Sequence, residues 1–280
     1  MDYTRRFYRD FSPSTRWESY RVQVETSDLY IRAKDRCPLR VQARVRELRA
    51  ALFAHIQRQP EFLRSLAPVP SLPGEPDIVF RMNRAARQAG VGPMAAVAGA
   101  IAESVGQDLA RNSAEVIVEN GGDCFFRLKE KGLCILFAGN SPFSGKIGLQ
   151  IESGQTPVAV CTSSGTVGPS YSLGRADAAT IVSKDACLAD AVATGTANRI
   201  QSERDFEGAL AYAMSIQEVQ GVVLIYKDRL AAQGAVALAA VGGQDAQRNR
   251  GAGADPALRE GAGKQSDHQA QQMKKTEAKR

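Results

Sequence analysis

The sequence has little of what would place it among disulfide-rich, zinc-binding or membrane proteins. Its 280 residues include two histidines, one tryptophan and five scattered cysteines with no Cys-x-x-Cys pair. This spacing argues against a disulfide framework and a zinc site, so we interpret the cysteines as mostly buried thiols. The longest apolar runs, such as GLCILFAG, are far shorter than the roughly 20 residues that cross a bilayer. We therefore expect a globular protein without a membrane span.

The start of the chain bears on where the protein is located, and its net charge bears on whether it binds nucleic acid. The opening MDYTRRFYRDF lacks the apolar segment of a secretory signal, so we expect a cytoplasmic protein. The formal net charge is +6, and most of the excess lies in the first 60 residues and the tail. Since aromatic residues are not interleaved with it, we favour a solvated basic face. A nucleic-acid-binding protein is the alternative, and steep salt dependence of binding would favour it.

The composition predicts one folded domain followed by a tail. Hydrophobic residues make up 44% of the chain, which is ample for a core. We expect a single globular domain over 1–241, with N-terminal strands and a helix in 1–75 and the motifs in 90–241. Residues 242–280 have almost no large apolar side chains. Such a segment cannot offset its ordering entropy, so we predict a disordered low-complexity tail.

The first 60 residues change from strand to helix periodicity. In SYRVQVETSDLYIRAK, alternation places Tyr20, Val22 and Val24 on one face, which predicts two antiparallel strands. From Leu39 to Gln59 the apolar period becomes three to four residues, which predicts an amphipathic helix with a basic outer side. His55 lies on this helix, and we expect it at the surface.

Later elements alternate irregularly, without a repeated βαβ unit. Helices are predicted over Asp77–Ala89, in the small-residue segment VGPMAAVAGAIAESVGQDLARN and near 203–216. Short strands are predicted around 115–119, 124–128, 133–137, 146–151, 157–161 and 178–183, and a final hairpin turns at Lys227-Asp228. The small-residue helix should pack very closely against a neighbour. The pattern indicates an α+β fold with a mixed, mainly antiparallel sheet.

The segment KDACLADAVATGTANRI offers the clearest candidate for a cation site. Asp190 and Thr194 stand four residues apart, so on a helix their oxygens project from one face. Together they would supply half of a site for a hard cation such as Mg²⁺, which commonly completes its shell with water and phosphate oxygens. The alternative is structural: Asp190 would favour the helix N-terminus, and Thr194 would bond back to a backbone carbonyl.

The segment VIVENGGDCFF is a candidate ligand-binding turn. A strand runs into Asn120, Gly121, Gly122 and Asp123 and out into another strand. Adjacent glycines permit positive φ and let the backbone approach a ligand closely. An ordinary hairpin is the alternative.

The segment CTSSGTVGPSYSLGR is a candidate phosphate loop. Thr162, Ser163, Ser164 and Gly165 could present amides and hydroxyls to phosphate oxygens. The order of residues is not that of a P-loop. A polar surface loop is the alternative here.

In combination, these segments resemble the ApbE-like family, the FAD:protein FMN transferases and their uncharacterised relatives. The matching segments are GAIAES (99–104), NGGD (120–123), TSSG (162–165) and ADAVAT (189–194), in the family's order. The resemblance covers about residues 90–240 and is strongest to the uncharacterised branch. It implies the ApbE-like α+β fold, with helices packed on the sheet.

The resemblance also implies a function. Asp190 and Thr194 would bind Mg²⁺ beside the FAD pyrophosphate, together with the backbone carbonyl of Ala102, and Asp190 is the catalytic candidate. The NGGD and TSSG segments would contact the flavin nucleotide. Family enzymes move FMN from FAD to a Thr hydroxyl of an acceptor protein and release AMP.

Two departures from the family pattern leave a second function open. Glu103 stands where the transferases have Lys, and we expect this anion to repel an unshielded pyrophosphate. The family's His-x-x-x-Pro element is missing, since GPSYSLGRADAATIV contains no histidine. The alternative function is a non-catalytic flavin or nucleotide carrier or sensor. Residues 1–75 could cover the site, supply cations through arginines or form a homodimer interface.

Overall fold

The computed structural model describes residues 16–166 and 173–241. The predicted tail at 242–280 and residues 167–172 of the predicted phosphate loop lie outside the described residues. The described strands are β1 Glu18–Val24, β2 Ser27–Ala33, β3 Val116–Asn120, β4 Asp123–Arg127, β5 Gly132–Ile135, β6 Ile147–Ile151, β7 Val158–Ser163, β8 Ala178–Ser183, β9 Val219–Tyr226, β10 Arg229–Gly234 and β11 Leu238–Ala240. The described α-helices are α1 Pro38–Arg58, α2 Glu61–Arg64, α3 Asp77–Ala89, α4 Val97–Leu109, α5 Ala186–Ala197 and α6 Phe206–Met214.

The described strands form two antiparallel sheets. Eight strands make the main sheet in the order β1-β2-β3-β4-β7-β8-β9-β10, and the smaller sheet has the order β11-β6-β5. Neighbouring strands within the described residues all pair antiparallel. The predicted α+β class with a mainly antiparallel sheet is confirmed.

The main sheet separates two hydrophobic cores. Alternation along β7 directs Ala159 and Cys161 into the core shared with the helices, and Val158 and Val160 into the core shared with the smaller sheet. Both faces of the strand are therefore buried, which explains its nearly continuous apolar sequence. Helix α5 packs on the helical face of β7 and β8, and this contact positions the candidate site.

The N-terminal hairpin and α1 agree with the sequence predictions except at His55. The side chains of Tyr20, Val22 and Val24 are buried on one face of β1. The prediction of a surface histidine is wrong, because His55 is only 1% exposed. It lies on the buried face of α1, its Nε2 is 3.0 Å from Oε1 of Gln59, and its ring meets Phe62 edge-on at 4.8 Å.

Smaller differences occur near the end of the fold. Strand β11 was not anticipated, because its three residues carry too little pattern to indicate a strand. The predicted helix at 203–216 begins as a 3₁₀ turn over Glu203–Asp205 before α6. The prediction for the cysteines holds only in part: two are buried and three are half-buried, although all five are free.

No single helix in the described part of the chain has the length and apolar character needed to cross a membrane. One bent pair, α3 with Pro93–Leu109, meets the length and composition requirement only when its two members are taken together, across a bend of 105°. Several side chains from both members lie in the helical core.

Candidate functional site

The candidate site is built on a very close contact between α4 and α5. At Gly99, an added Cβ would lie 2.1 Å from the carbonyl oxygen of Ala186 and 2.9 Å from Cβ of Asp190. A side chain of any size would push the helices apart, so the position requires glycine. The expected close packing of the small-residue helix is thus seen at the start of α4.

Asp190 on α5 is buried against the N-terminus of α4. Its Oδ2 accepts the backbone N–H of Gly99 at 2.9 Å, and the N–H of Ala98 also interacts with the carboxylate. Burial raises the pKa of Asp190 to about 7, although these two amides favour the charged form and offset part of the rise. The carboxylate therefore occupies an anion-favouring helix end while largely removed from water.

The structural alternative proposed for this segment is realised by other residues. Asp185 is the N-cap of α5, and its side chain accepts the N–H of Leu188 at 2.9 Å. The bond from a threonine back to a helix carbonyl is made by Thr196, whose hydroxyl donates to Val192 at 2.7 Å. Asp190 thus caps a different helix from its own.

Thr194 and Ala102, the other two predicted magnesium ligands, lie on α5 and α4 respectively. Thr194 is half-buried one turn after Asp190 on α5, as the spacing predicted. Ala102 is buried inside α4, three residues beyond Gly99. Its carbonyl lies in the helix interior, where the N–H four residues later is the regular partner.

The NGGD turn lies beside the same helix end. The side chain of Asn120 donates to the carbonyl of Ala98 at 3.1 Å. Gly121 and Gly122 have φ values of 73° and 115°, which favour glycine. A Cβ added at Gly122 would lie 3.6 Å from the carbonyl oxygen of Thr162, so this turn reaches the end of β7.

Asp123, the first residue of β4, is a second buried carboxylate in this cluster. Burial, and then the charge of Asp190, raise the pKa of Asp123 well above its usual range. Its Oδ1 is buried and has no hydrogen-bond partner among the described residues. Such an oxygen is costly unless another group satisfies it.

The TSSG segment joins the site at one end only. The carbonyl of Thr162 faces the NGGD turn, whereas its hydroxyl lies 2.9 Å from that of Thr180. Two amides of the predicted phosphate nest already have partners, since Gly165 N–H donates to Ala176 at 2.9 Å and Thr166 N–H to Ser164 Oγ at 3.1 Å. The side chains of Ser163 and Ser164 are buried.

Glu103, which we expected to repel an unshielded pyrophosphate, is buried and ion-paired in the structure. Its carboxylate is buried, and Oε2 lies 2.6 Å from Nη2 of Arg81 on α3 and accepts the N–H of Ala186 at 2.9 Å. Burial raises the pKa of Glu103, and the charge of Arg81 offsets part of that rise. The anion is shielded by an arginine that sequence reasoning had not linked to it.

The structure therefore assembles parts of all the predicted segments. Asn120, Asp123, Asp190 and the Thr162 backbone meet near the start of α4. Sequence reasoning missed the amides of Ala98 and Gly99 as partners of Asp190. The run of small residues beginning at Val97 is the signal that could have indicated a close approach there.

Comparison with solved structures identifies the class of fold. The chain is similar to a flavin transferase ApbE from Vibrio cholerae, with a TM-score of 0.51 over 78% of this chain and 96% of that one. The sequence identity is 12%, so this similarity shows the fold alone. The predicted ApbE-like fold is confirmed.

Sequence comparison places the chain within a family. The family model described as AbpE bacteria matches residues 9–232, and the chain belongs to this family. A UPF0280 protein of Methanocella arvoryzae is 43% identical over 67% of this chain and 76% of its own length. UPF0280 protein MJ1526 of Methanocaldococcus jannaschii is 35% identical over 79% of this chain and 92% of its own length. The predicted resemblance to the uncharacterised branch is confirmed.

Proposed function

We propose that this protein binds FAD with Mg²⁺ at the cluster around Asp190 and transfers FMN to a protein Thr hydroxyl. The observation that carries the proposal is the unpartnered Oδ1 of Asp123, buried beside a second carboxylate. Both carboxyl groups are buried, which disfavours their charged forms, and one of them has an unsatisfied oxygen. A bound divalent cation would stabilise the charged forms and satisfy that oxygen. Family membership and fold support the flavin as the nucleotide.

The donor set fits magnesium in its usual protein setting. Within residues 16–166 and 173–241, no group of three or more His, Cys, Asp or Glu side chains is arranged to hold a metal. Mg²⁺ commonly takes one or two carboxylates and completes its shell with water and substrate phosphates. Asp190 and Asp123 would supply the carboxylates and Thr194 a hydroxyl. Because the Ala102 carbonyl has a regular helix partner, we rank it below these three.

The roles of the remaining residues follow from their contacts. When bound, Mg²⁺ would neutralise charge on the pyrophosphate. Asn120 fixes the carbonyl of Ala98 and so holds the turn against the helix that Asp190 caps. In the transfer, the Thr oxygen of the acceptor would form a bond to the FMN phosphorus as the pyrophosphate P–O bond breaks. AMP would leave with the bridging oxygen, and the hydroxyl proton would pass to solvent water. Gly121, Gly122 and the 162–165 segment would line the nucleotide.

The test is to incubate the purified protein with FAD and Mg²⁺, with and without a Thr-containing acceptor. Bound flavin is quantified by equilibrium dialysis, released AMP by chromatography and acceptor flavinylation by mass spectrometry. We expect all three in the wild type and their loss in Asp190→Asn, with Asp123→Asn weakening Mg²⁺ dependence. The matched control is Asp108→Asn, since Asp108 lies on α4 and pairs with Arg40 at 3.1 Å. Absence of Mg²⁺-dependent flavin binding would overturn the proposal.

The non-catalytic carrier or sensor is the second candidate, because no histidine lies between the TSSG segment and α5. FAD binding that depends on Mg²⁺ and Asp190 but releases no AMP with any Thr-containing acceptor would favour this candidate. The cytoplasmic location, the acceptor protein and a homodimer stay predictions.

A further inference from the structure

Helices α4 and α5 are linked by two reciprocal hydrogen bonds, each from a backbone N–H of one helix to a carboxylate of the other. Asp190 of α5 accepts the N–H of Gly99 near the start of α4, at 2.9 Å. In the opposite direction, Glu103 of α4 accepts the N–H of Ala186 at the start of α5, also at 2.9 Å. Each helix thus receives an N-terminal partner from the other, in the part of a helix where amides lack internal acceptors.

The two links are one helical turn apart on both helices. Gly99 and Glu103 are separated by four residues, as are Ala186 and Asp190. Two attachments at this spacing restrict both sliding and rotation of α5 against α4. The orientation of the Asp190 carboxylate therefore depends on the link at Glu103, although these two side chains share no hydrogen bond in the described set.

Glu103 is itself held from both sides. Its Oε1 accepts the side-chain amide of Gln107 at 2.8 Å, and Oε2 receives Arg81 at 2.6 Å in addition to the Ala186 amide. A buried carboxylate with both oxygens satisfied and a cationic partner has one fixed orientation. A free surface glutamate would give no such constraint.

We propose that Glu103, fixed by Arg81 and Gln107, is the residue that positions Asp190 at the start of α4. The link to magnesium rests on the proposed function, but the positioning itself does not. In this proposal Glu103 contacts neither Mg²⁺ nor FAD and acts through Asp190, so it is a positioning residue. Its substitution should change the site even where the fold survives.

The experiment is amide hydrogen exchange by NMR on the full chain with ¹⁵N-labelled glycine, which gives 25 possible signals. The Gly99 signal is assigned by its loss in Gly99→Ala. Glu103→Gln keeps the shape but removes the charge, and we expect Gly99 exchange to accelerate at least about tenfold, since exchange reports local opening. Mg²⁺ affinity, measured by calorimetry, should weaken several-fold in the same variant.

The matched control is Arg84→Gln, which breaks the ion pair between Arg84 and the N-cap Asp185 at the same end of α5 but removes neither of the hydrogen bonds that link α4 and α5. We expect a fall in Tm with no change at Gly99. If Glu103→Gln does not fold, Arg81→Lys tests the same link with its charge retained, and a smaller acceleration is expected. Unchanged Gly99 exchange in the variant that folds, or equal acceleration in Arg84→Gln, would overturn the positioning role. Failure of Mg²⁺ to bind the wild type would instead count against the proposed function.

Discussion

The backbone N–H of Gly99 donates to Asp190 Oδ2 at 2.9 Å, across a contact too close for any side chain at position 99. The hydrogen bond and the missing Cβ have the same cause, since only glycine lets α5 bring its carboxylate this near to the amide. Two helices that approach so closely exclude water, and this is why the pKa of Asp190 rises to about 7.

We expect Gly99→Ala to lower the free energy of unfolding by about 1–3 kcal/mol, the usual cost of overpacking a tight contact. Urea unfolding measures it. The matched control is Gly208→Ala on α6, where an added Cβ meets nothing within 4 Å. There we expect stabilisation of about 0.5–1 kcal/mol from helix propensity. Equal effects at both positions would show that the close contact is not formed.

Local patterns predicted the elements whose signals lie within one segment. Helix α3 has the predicted bounds Asp77–Ala89, because Pro76 precedes it and Gly90, with φ 63°, ends it. The hairpin turn at Lys227 was likewise predicted from its flanking strands, and Lys227 has φ 55°. Such features depend on neighbours in sequence.

The candidate site depends on partners distant in sequence. Asp190 meets an amide 91 residues away, and no periodicity within either helix indicates that pairing. The family resemblance assigned Asp190 and the NGGD segment to one bound nucleotide, but it did not indicate the shielding of Glu103 by Arg81. Tertiary packing, which places α3 beside both α4 and α5, determines that pair.

A conventional ion pair gives a pH dependence that can be tested outside the site. The hydrogen bond from Arg16 lowers the pKa of Glu115, with Arg16 Nε at 2.8 Å from Oε2. A lowered folded-state pKa means stability that is present at neutral pH and lost as pH falls through the folded value. We expect Glu115→Gln to cost about 1 kcal/mol at neutral pH, an amount limited by solvent screening, and much less in acid. Thermal unfolding at both pH values checks this, and an equal loss at both would contradict it.

The basic face of the N-terminal region is predicted to bind nucleic acid weakly. Its arginines form ion pairs with carboxylates, as in Arg21 with Asp28 at 2.6 Å, Arg40 with Asp108 at 3.1 Å and Arg44 with Glu47 at 2.8 Å. Paired arginines offer less charge for counterion release. Fluorescence anisotropy with a labelled duplex and a labelled single strand should therefore show weak binding with a shallow salt slope. Tight binding with a steep slope would restore the nucleic-acid alternative.

The buried carboxylates at the site predict a pH dependence of the opposite sign. Burial raises the pKa of Asp190 to about 7 and also raises the pKa of Asp123. At pH values between the usual carboxyl pKa and the raised one, the folded state therefore binds more protons than the unfolded state. In EDTA, the free energy of unfolding should therefore fall as pH rises through about 7. Asp123→Asn removes one of the two carboxyl groups with a raised pKa, so its decline should be smaller.

Urea unfolding at pH values below and above 7 measures this decline for the wild type, for Asp123→Asn and for the control variant Asp108→Asn. Asp108→Asn makes the same substitution on α4, at a carboxylate that is partly exposed and paired with Arg40. We expect its decline to match that of the wild type, because the Asp190 environment is unchanged. If Asp123→Asn and Asp108→Asn behave alike, burial does not raise the pKa of Asp123 in the folded protein, and the observation that supports a cation at this site is lost.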